Sequence, residues 1–545
     1  MATTNPHPEA IEEIGHLPGT EILFDNNLDA SGHPDLQHLK SQTKGNSRML
    51  LVPQPSVDDP NDPLSWPAWK KHVTLFNGCW YAFMGAITGP IMAAGMEELS
   101  ATFNKSLQEL TYAVGACLIN QGVWNCVWMP FAVKYGRRPI YIFSNLLMGV
   151  ACIWLAIASN KTYMVFLVGR AFLGVSQAPI ESIVPSTVTD IYFLHNRGEL
   201  IAMYGLAVLG GNELGPMFSG FIVQDLGMAW AFWIVGIFVF ANVIAMLFFM
   251  PETKFTGPRP SSTMQSNSPT KQSIKHKENL PDEDTDMDTD TPIPRKSYLE
   301  ELKFWPAGDP SVNLLHVSLR PFILLAYPTV LWSCLIYGLA LSWNVILGTV
   351  VAQLFAPPPY SFNPRSQGLF FLSPFIGSLF GFVLSGQGGD WVANVLTKRN
   401  NGVREPEMRL PTCLLAAGFT FVGALWFGLA WEHKTHWVVP VVGAGILSVG
   451  SQMGTTLGMN YALDCHKELS VEVMITIAAL KSAIAWVWTW VINDFIDARG
   501  PLAVFMTVAA INVAVYLLCI PFYLYGKRIR IWLHRRNLLR AAGVM

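Results

Sequence analysis

Long apolar stretches alternate with short polar ones along most of this chain. A membrane-spanning helix needs about 20 predominantly apolar residues, and windows of that kind fall into two groups of six. The first group lies near 73–96, 110–131, 139–159, 163–187, 200–223 and 228–250, and the second near 321–350, 368–388, 411–431, 437–461, 473–493 and 501–525. Only four charged residues lie within these windows. The pattern therefore predicts an all-α membrane protein with twelve transmembrane helices.

Polar segments divide these windows into two six-helix bundles. We expect a disordered cytoplasmic segment over 1–70, a first bundle over 71–252, a largely disordered cytoplasmic linker over 253–318, a second bundle over 319–525 and a basic cytoplasmic tail over 526–545. The first segment and the linker have few aromatic residues and mixed charge runs, which is typical of disorder. Two equal groups of spans are also what an internal duplication leaves.

Composition and charge place the protein in lipid and orient it. The chain is 51% hydrophobic and only 14% charged. Lys and Arg are concentrated in the loops that lie inside if the N-terminus is cytoplasmic, so we expect both termini in the cytoplasm. We further expect a plasma membrane protein and a monomer. Asn104 and Asn160 begin sequons in loops predicted to lie outside, and they are possible glycosylation sites. The eight cysteines are expected to be free thiols.

Several classes of function are disfavoured by what the sequence lacks. No Gly-x-x-x-x-Gly-Lys-Ser/Thr phosphate loop occurs in it. We find no nucleophile constellation, metal-ligand spacing or cofactor loop in the polar segments. We therefore expect no enzymatic activity, no cofactor, no bound metal and no nucleic-acid partner.

The four charged residues inside predicted spans are the first candidates for chemistry. They are Arg170, Glu181, Glu213 and Lys481, and charged residues in a membrane are functional by default. Burial favours the neutral form of a carboxyl group, so Glu181 and Glu213 are our proton-coupling candidates. Lys481 could balance either Glu or bind an anionic solute. Alternatively, Glu181 pairs with a basic residue and Glu213 is a structural group.

Further polar and aromatic residues could line a solute cavity. In the fourth span, Arg170, Gly174, Gln177 and Glu181 follow the spacing of one helix face. Residues of this mixed character on other spans are Asn77, Tyr81, Asn120, Gln121, Trp124, Tyr337, Trp343 and Asn344. Such a lining suits amphipathic organic solutes or cations. The alternative for each aromatic residue is packing or a position at the membrane interface.

The loop after the second span carries a motif of a known family. Lys134, Gly136, Arg137 and Arg138 resemble the major facilitator superfamily motif Gly-x-x-x-Asp-Arg/Lys-x-Gly-Arg-Arg/Lys. Val133 stands at the position of the family's acidic residue, and Met129 at that of its first Gly. Asp190, at the predicted inner end of the fourth span, could pair with Arg137 or Arg138 as a cytoplasmic gate. The alternative is that the arginines are topology anchors only.

Two more motifs strengthen this resemblance. Gly211, Gly215, Pro216 and Gly220 in the fifth span look like the family's antiporter motif Gly-x-x-x-Gly-Pro-x-x-Gly-Gly, with Ser219 as the departure. These glycines permit close helix approach, and Pro216 permits a bend. The segment 251–254 resembles the Pro-Glu-Thr-Lys/Arg signature of many facilitator proteins. The segment 59–67 resembles the lead-in of fungal members, particularly the twelve-span drug:proton antiporter branch.

The resemblance implies a fold and a function. The fold is two six-helix bundles around a central cavity that opens alternately to each side. The function is secondary active transport of a small organic solute, with proton-coupled export of drugs, toxins or secondary metabolites as our first hypothesis. Proton-coupled import of organic cations such as polyamines is the alternative within this class. A nutrient sensor with the same fold is the alternative of another class.

Overall fold

The computed structural model describes residues 55–255 and 296–536, with short gaps at 57–58, 305–307, 311, 401–402 and 467–468, together with 21–22, 41–44, 47–50 and 257. Most of the predicted N-terminal segment and linker, and the end of the predicted tail, lie outside the described residues. Those predictions therefore stay predictions.

The described residues form nineteen α-helices, which we number in chain order. They are α1 Ala68–Thr88, α2 Met96–Phe103, α3 Leu107–Tyr135, α4 Arg138–Ala158, α5 Tyr163–Gln177, α6 Ile180–Ile191, α7 Leu194–Leu226, α8 Met228–Phe249, α9 Tyr298–Glu301, α10 Leu314–Leu324, α11 Pro328–Phe355, α12 Pro364–Phe370, α13 Leu372–Val383, α14 Gly389–Arg399, α15 Thr412–Glu432, α16 Val438–Cys465, α17 Ser470–Arg499, α18 Pro501–Leu517 and α19 Cys519–Arg536. The 3₁₀-helices are Pro63–Ser65, Pro90–Met92 and Pro406–Arg409, and a π-helical segment covers Leu384–Gly388.

Short strands form two antiparallel pairs. β1 Glu21–Ile22 pairs with β4 Val403–Arg404, and β2 Ser41–Lys44 pairs with β3 Ser47–Leu50. They add little to an architecture that is otherwise helical.

The spans agree with the apolar pattern. Ten helical runs among the described residues are long and apolar enough to cross a membrane. Four of them join consecutive elements, as in Tyr163–Ile191, which combines α5 and α6. The first two predicted spans correspond to α1 and α3, which are 21 and 29 residues long. These two complete a count that is consistent with twelve, and the predicted all-α membrane fold is confirmed.

Local sequence explains where individual spans begin and break. Ser106 starts α3 with a capping box, in which its hydroxyl accepts from the Glu109 N–H while the Glu109 carboxylate accepts from the Ser106 N–H. Pro179 separates α5 from α6 because its ring has no N–H to continue the helix. Arg170 and Glu181 therefore lie on the consecutive helices α5 and α6 of one apolar run, Tyr163–Ile191, rather than on one uninterrupted helix.

The two halves meet along α3 with α17 and along α7 with α12. We use "inner end" for the end holding Arg137 and Asp190, following the predicted topology, and "outer end" for the opposite one. At the outer end, the Gln108 amide donates to the Thr489 carbonyl (2.9 Å) and the Asn493 amide donates to the Thr111 hydroxyl (2.7 Å). These hydrogen bonds tie α3 to α17 on the outer side of the molecule's centre.

Candidate functional site

A cavity lies between the two halves. It encloses about 1060 Å³ of space, part of which is open to solvent. The first half contributes residues of α1, α3 and α5 to α7 and the segment after α1, and the second half contributes residues of α11 and α17. Most of the wall is apolar. Its polar members are Gln121, Arg170, Gln177, Glu181, Asn212, Tyr337, Asn344, Thr349 and Lys481.

An ion pair joins the two halves in the cavity wall. The Lys481 ammonium of α17 contacts the Glu181 carboxylate of α6, and the two side chains are only 4% and 17% exposed. The Gln121 amide donates to the same Glu181 oxygen (3.2 Å). The Tyr204 hydroxyl of α7 donates to the Glu181 main-chain carbonyl (3.4 Å). Glu181 is thus held by groups from three neighbouring helices.

A chain of hydrogen bonds extends from this pair to Arg170. The Gln177 amide donates toward Gln121 (3.5 Å), and the Thr88 hydroxyl donates to Gln177 (2.6 Å). The fully buried Arg170 guanidinium donates to the carbonyls of Thr88 (2.7 Å) and Gly89 (2.9 Å). These carbonyls end α1, where the helix dipole favours a cation. Arg170 therefore holds the outer end of the first span to the fourth.

Five residues that we proposed for the cavity lie outside its wall. Asn77 and Tyr81 pack inside the first half, where Tyr81 hydrogen-bonds the Ser144 hydroxyl (2.6 Å). The Asn120 amide donates to its own helix at Ala116. Trp343 is buried against Phe505 in the second half, and Trp124 is 38% exposed. Residue type alone does not reveal which helix face meets the cavity.

Glu213 lies in a tight helix contact and not in the cavity wall. It is 2% exposed, and its Oε1 has no hydrogen-bond partner among the described residues. A Cβ on Gly211 would lie 2.5 Å from the Phe83 carbonyl of α1, and one on Gly220 would lie 2.6 Å from the Pro364 carbonyl of α12. The Gly motif thus brings α7 against both its own half and the other half.

The basic loop at the inner end contacts the end of the fourth span. Arg137 Nε lies 2.6 Å from Asp190 Oδ2, and Arg137 Nη2 donates to Asp190 Oδ1 (2.9 Å). Arg138 instead donates to main-chain carbonyls, including that of Met250 (2.7 Å). Gly136 has a φ of 97°, which favours glycine. The Lys134 ammonium lies over the Tyr135 ring, 5.8 Å from its centre.

The second half has a corresponding arrangement. Arg409 donates to Asp464 at the end of α16 (2.8 Å) and to Asp390 of α14 (2.6 Å). Arg404 also reaches Asp390, at 3.1 Å. In the first half, an arginine of the loop before the third span therefore contacts the aspartate that ends the fourth span. In the second half, an arginine of the loop before the ninth span contacts the aspartate that ends the tenth span.

Comparison with known proteins identifies this architecture. The sequence profile of the Major Facilitator Superfamily matches residues 74–487. The chain belongs to this superfamily. It is an integral membrane protein and a transporter of small solutes, not an enzyme.

Three relatives that match over most of the chain are fungal proteins. An uncharacterized MFS-type transporter of Schizosaccharomyces pombe is 25% identical, covering 95% of this chain and 93% of its own length. Protein HOL1 of Saccharomyces cerevisiae is 24% identical, covering 98% and 97%. The MFS-type transporter penM of Penicillium rubens is 25% identical, covering 88% and 89%.

A solved superfamily structure supports the fold. The crystal structure of the human organic anion transporter MFSD10 (TETRAN) aligns with a TM-score of 0.54 at 14% identity, covering 83% of this chain and 100% of that one. This similarity bears on the architecture alone.

Sequence reasoning missed three polar groups at this facilitator cavity. Thr88 links Arg170 to Gln177, and Asn212 and Thr349 line the wall. All three are polar residues inside predicted spans. A systematic count of uncharged polar residues in the spans would have found them.

Proposed function

We propose that this protein exports a small organic solute in exchange for protons, by alternating access, across the plasma membrane with both termini in the cytoplasm. The Glu181–Lys481 ion pair carries this proposal. It lies in the cavity wall and connects the first half to the second. A contact that both lines the solute cavity and joins the moving halves is where solute, proton and conformation can be coupled.

Protonation of Glu181 provides the coupling step. The neutral carboxyl group no longer attracts the Lys481 ammonium by charge, so the contact between α6 and α17 weakens. The halves can then separate on that side, and release of the proton restores the pair. The groups of other helices around Glu181 that bear on this step are Gln121, Tyr204, Tyr337 and Lys481.

Glu213 is the second proton carrier in this proposal. Its buried oxygen has no partner among the described residues, and an unpaired buried charge is costly. Glu213 lies in the same stretch of α7 as Gly211 and Gly220, which pack against α1 and α12. A change in the charge of Glu213 would therefore act where α7 contacts both halves. The resemblance of this segment to the antiporter motif supports export.

The inner-end contacts complete the proposed cycle. Each contact lies within one half, where Arg137 binds Asp190 and Arg409 binds Asp464, and we propose that each stabilises its half while the inner side is closed. In this scheme both contacts loosen when the cavity opens inward.

Inside-out vesicles with an acidic lumen test the proposal. We expect accumulation of the solute in the lumen, and we expect a protonophore to abolish it. A panel of radiolabelled chloramphenicol, p-aminohippurate and tetraethylammonium covers neutral, anionic and cationic probes. A screen of growth inhibitors on a deletion strain extends it. Accumulation that requires an alkaline lumen would contradict export and favour proton-coupled import.

Glu213→Gln is the matched variant for the second carrier. It should abolish accumulation driven by the pH gradient while leaving exchange of labelled for unlabelled solute partly intact. Glu432→Gln makes the same change of charge at an exposed position at the end of α15, away from the cavity, and serves as the control. Unchanged pH dependence in both Glu213→Gln and Glu181→Gln would remove these residues as carriers.

A further inference from the structure

The charged groups of the cavity wall are unequal in number. Among the described residues that line the cavity, Arg170 and Lys481 are cations and Glu181 is the one carboxylate. The Arg170 guanidinium donates hydrogen bonds to the carbonyls of Thr88 and Gly89. These carbonyls do not neutralise its charge. The wall therefore carries one net positive charge.

Glu181, the one carboxylate among the described residues that line the cavity, is already paired. Glu181 holds the Lys481 ammonium and accepts from the Gln121 amide on the same oxygen. The Lys481 side chain is only 4% exposed. Separating Lys481 from Glu181 would therefore require moving a buried ammonium group. An organic cation that enters the cavity would have to displace Lys481 and leave it unpaired, which is costly.

We infer that Lys481 is a specificity-determining residue, an internal counter-ion that takes the place of a solute ammonium at Glu181 and excludes organic cations. This inference rests on the proposed function, because it describes the solute of the same cavity. The solutes that fit are neutral or anionic amphipathic compounds, whose apolar parts contact the wall and whose polar groups face Gln121, Asn344 and Asn212.

The aromatic surroundings make the exclusion depend on Lys481 itself. Tyr337 lines the cavity, and Tyr204 contacts the Glu181 backbone. Aromatic rings beside a carboxylate favour a cationic ligand. Removing the lysine should therefore turn the same position into a cation site without any other change.

Binding of tetraethylammonium to the purified full-length protein tests the inference. Measured with the radiolabelled compound at pH 8, binding to the wild type should be weak. Lys481→Met should bind it at least about tenfold more tightly, the equivalent of roughly 1.4 kcal/mol. Lys481→Arg keeps the charge and should bind as weakly as the wild type.

A double variant shows whether the new site is Glu181. Glu181→Gln combined with Lys481→Met should lose the gain in cation binding. Lys481→Gln replaces Lys481→Met if the latter fails to elute as a single species on size exclusion. Wild-type binding as tight as that of Lys481→Met, or a gain that survives in the double variant, would overturn the inference.

Failure of the proposed function has a different signature. It would appear as wild-type vesicles that accumulate no probe in response to a pH gradient, whatever the binding result. Conversely, gradient-driven accumulation of tetraethylammonium by the wild type would leave the transport proposal standing and refute the role of Lys481.

Discussion

The loop between α3 and α4 and the loop between α14 and α15 occupy corresponding places in the two halves. Each loop is also tied to the last span of its half. In the first half, Glu252 after α8 accepts from the main-chain N–H groups of Arg137 (2.9 Å) and Arg138 (3.1 Å). In the second, the carboxylate is in the loop, where Glu407 accepts from Arg530 of α19 through two 2.8 Å hydrogen bonds.

The arginine contacts differ as well. Arg137 meets Asp190, while its Nη1 is buried without a hydrogen-bond partner among the described residues. Arg409 meets two carboxylates, Asp464 and Asp390. Val133 stands where the family motif has its acid. The two halves therefore share the position of these contacts but not the residues that make them.

The largest effect should come from the tie in the second half. Arg530 and Glu407 side chains are 3% and 5% exposed, so Arg530→Met leaves a buried carboxylate uncompensated and should cost about 3–5 kcal/mol. The apparent Tm of the detergent-purified protein measures this loss. Adding Glu407→Gln should recover much of it. Lys527→Met, at a side chain 44% exposed, is the control and should change little.

The second-largest effect should be on the pH dependence of stability, to which His466 of the second half contributes. Burial and the nearby Arg530 charge lower the pKa of His466 from 6.5 to about 4. Between pH 6.5 and about 4, the unfolded chain therefore binds a proton at His466 that the folded chain does not bind. With respect to this group, the folded state is most stable above the unfolded pKa, and that stability is lost as pH falls toward the folded pKa. That loss amounts to up to roughly 3 kcal/mol.

His466→Gln should flatten this part of the profile. Glutamine can still hydrogen-bond the Thr329 hydroxyl, which lies 2.8 Å from His466 Nε2, but it does not titrate. The measurement is apparent Tm from pH 4 to 7 in both proteins. An equally steep profile in the variant would show that another group is responsible.

The number of carboxylate partners should set the cost of losing one. Asp190→Asn removes the carboxylate seen with Arg137, and we expect the transport rate to fall about tenfold, or roughly 1.4 kcal/mol. Asp464→Asn leaves Asp390 on Arg409, so its effect should be about threefold or less. Initial rates in vesicles with matched protein amounts compare them. Equal losses would contradict this account of the difference.

The smallest change should make the first loop resemble the second. Val133→Asp introduces an acid at the position of the family motif, and we expect it to pair with Arg137 Nη1, which has no hydrogen-bond partner among the described residues. By itself it should change transport little. In an Asp190→Asn background it should restore part of the lost rate, while Val133→Asn should not. Rescue by both variants would show that charge is not the cause.

Sequence reasoning succeeded where the signal is apolar length, because the windows predicted the helices. Of the four charges inside the spans, Arg170, Glu181 and Lys481 lie in the cavity wall, as does Gln177, whereas Glu213 does not. It failed where the outcome depends on the face of a helix. Asn77, Tyr81 and Trp343 occur in apolar spans like the lining residues, but packing within one half buries them.

The partners of charged residues were harder to predict than their importance. Glu181 and Lys481 are 300 positions apart, and only the packing of α6 against α17 brings them together. The second-half loop lacks a motif as compact as the one at 134–138, since Asp390 and Arg409 are 19 positions apart. Contacts made across a long sequence separation leave no local pattern.

Solute movement by Glu181→Gln in inside-out vesicles tests the central claim most directly. If the Glu181–Lys481 pair couples protons to the movement of the two halves, the variant should still exchange labelled for unlabelled solute, using whichever solute the wild type accumulates. It should no longer accumulate that solute when the lumen is acidic. Accumulation equal to that of the wild type, with the same dependence on pH, would contradict the account.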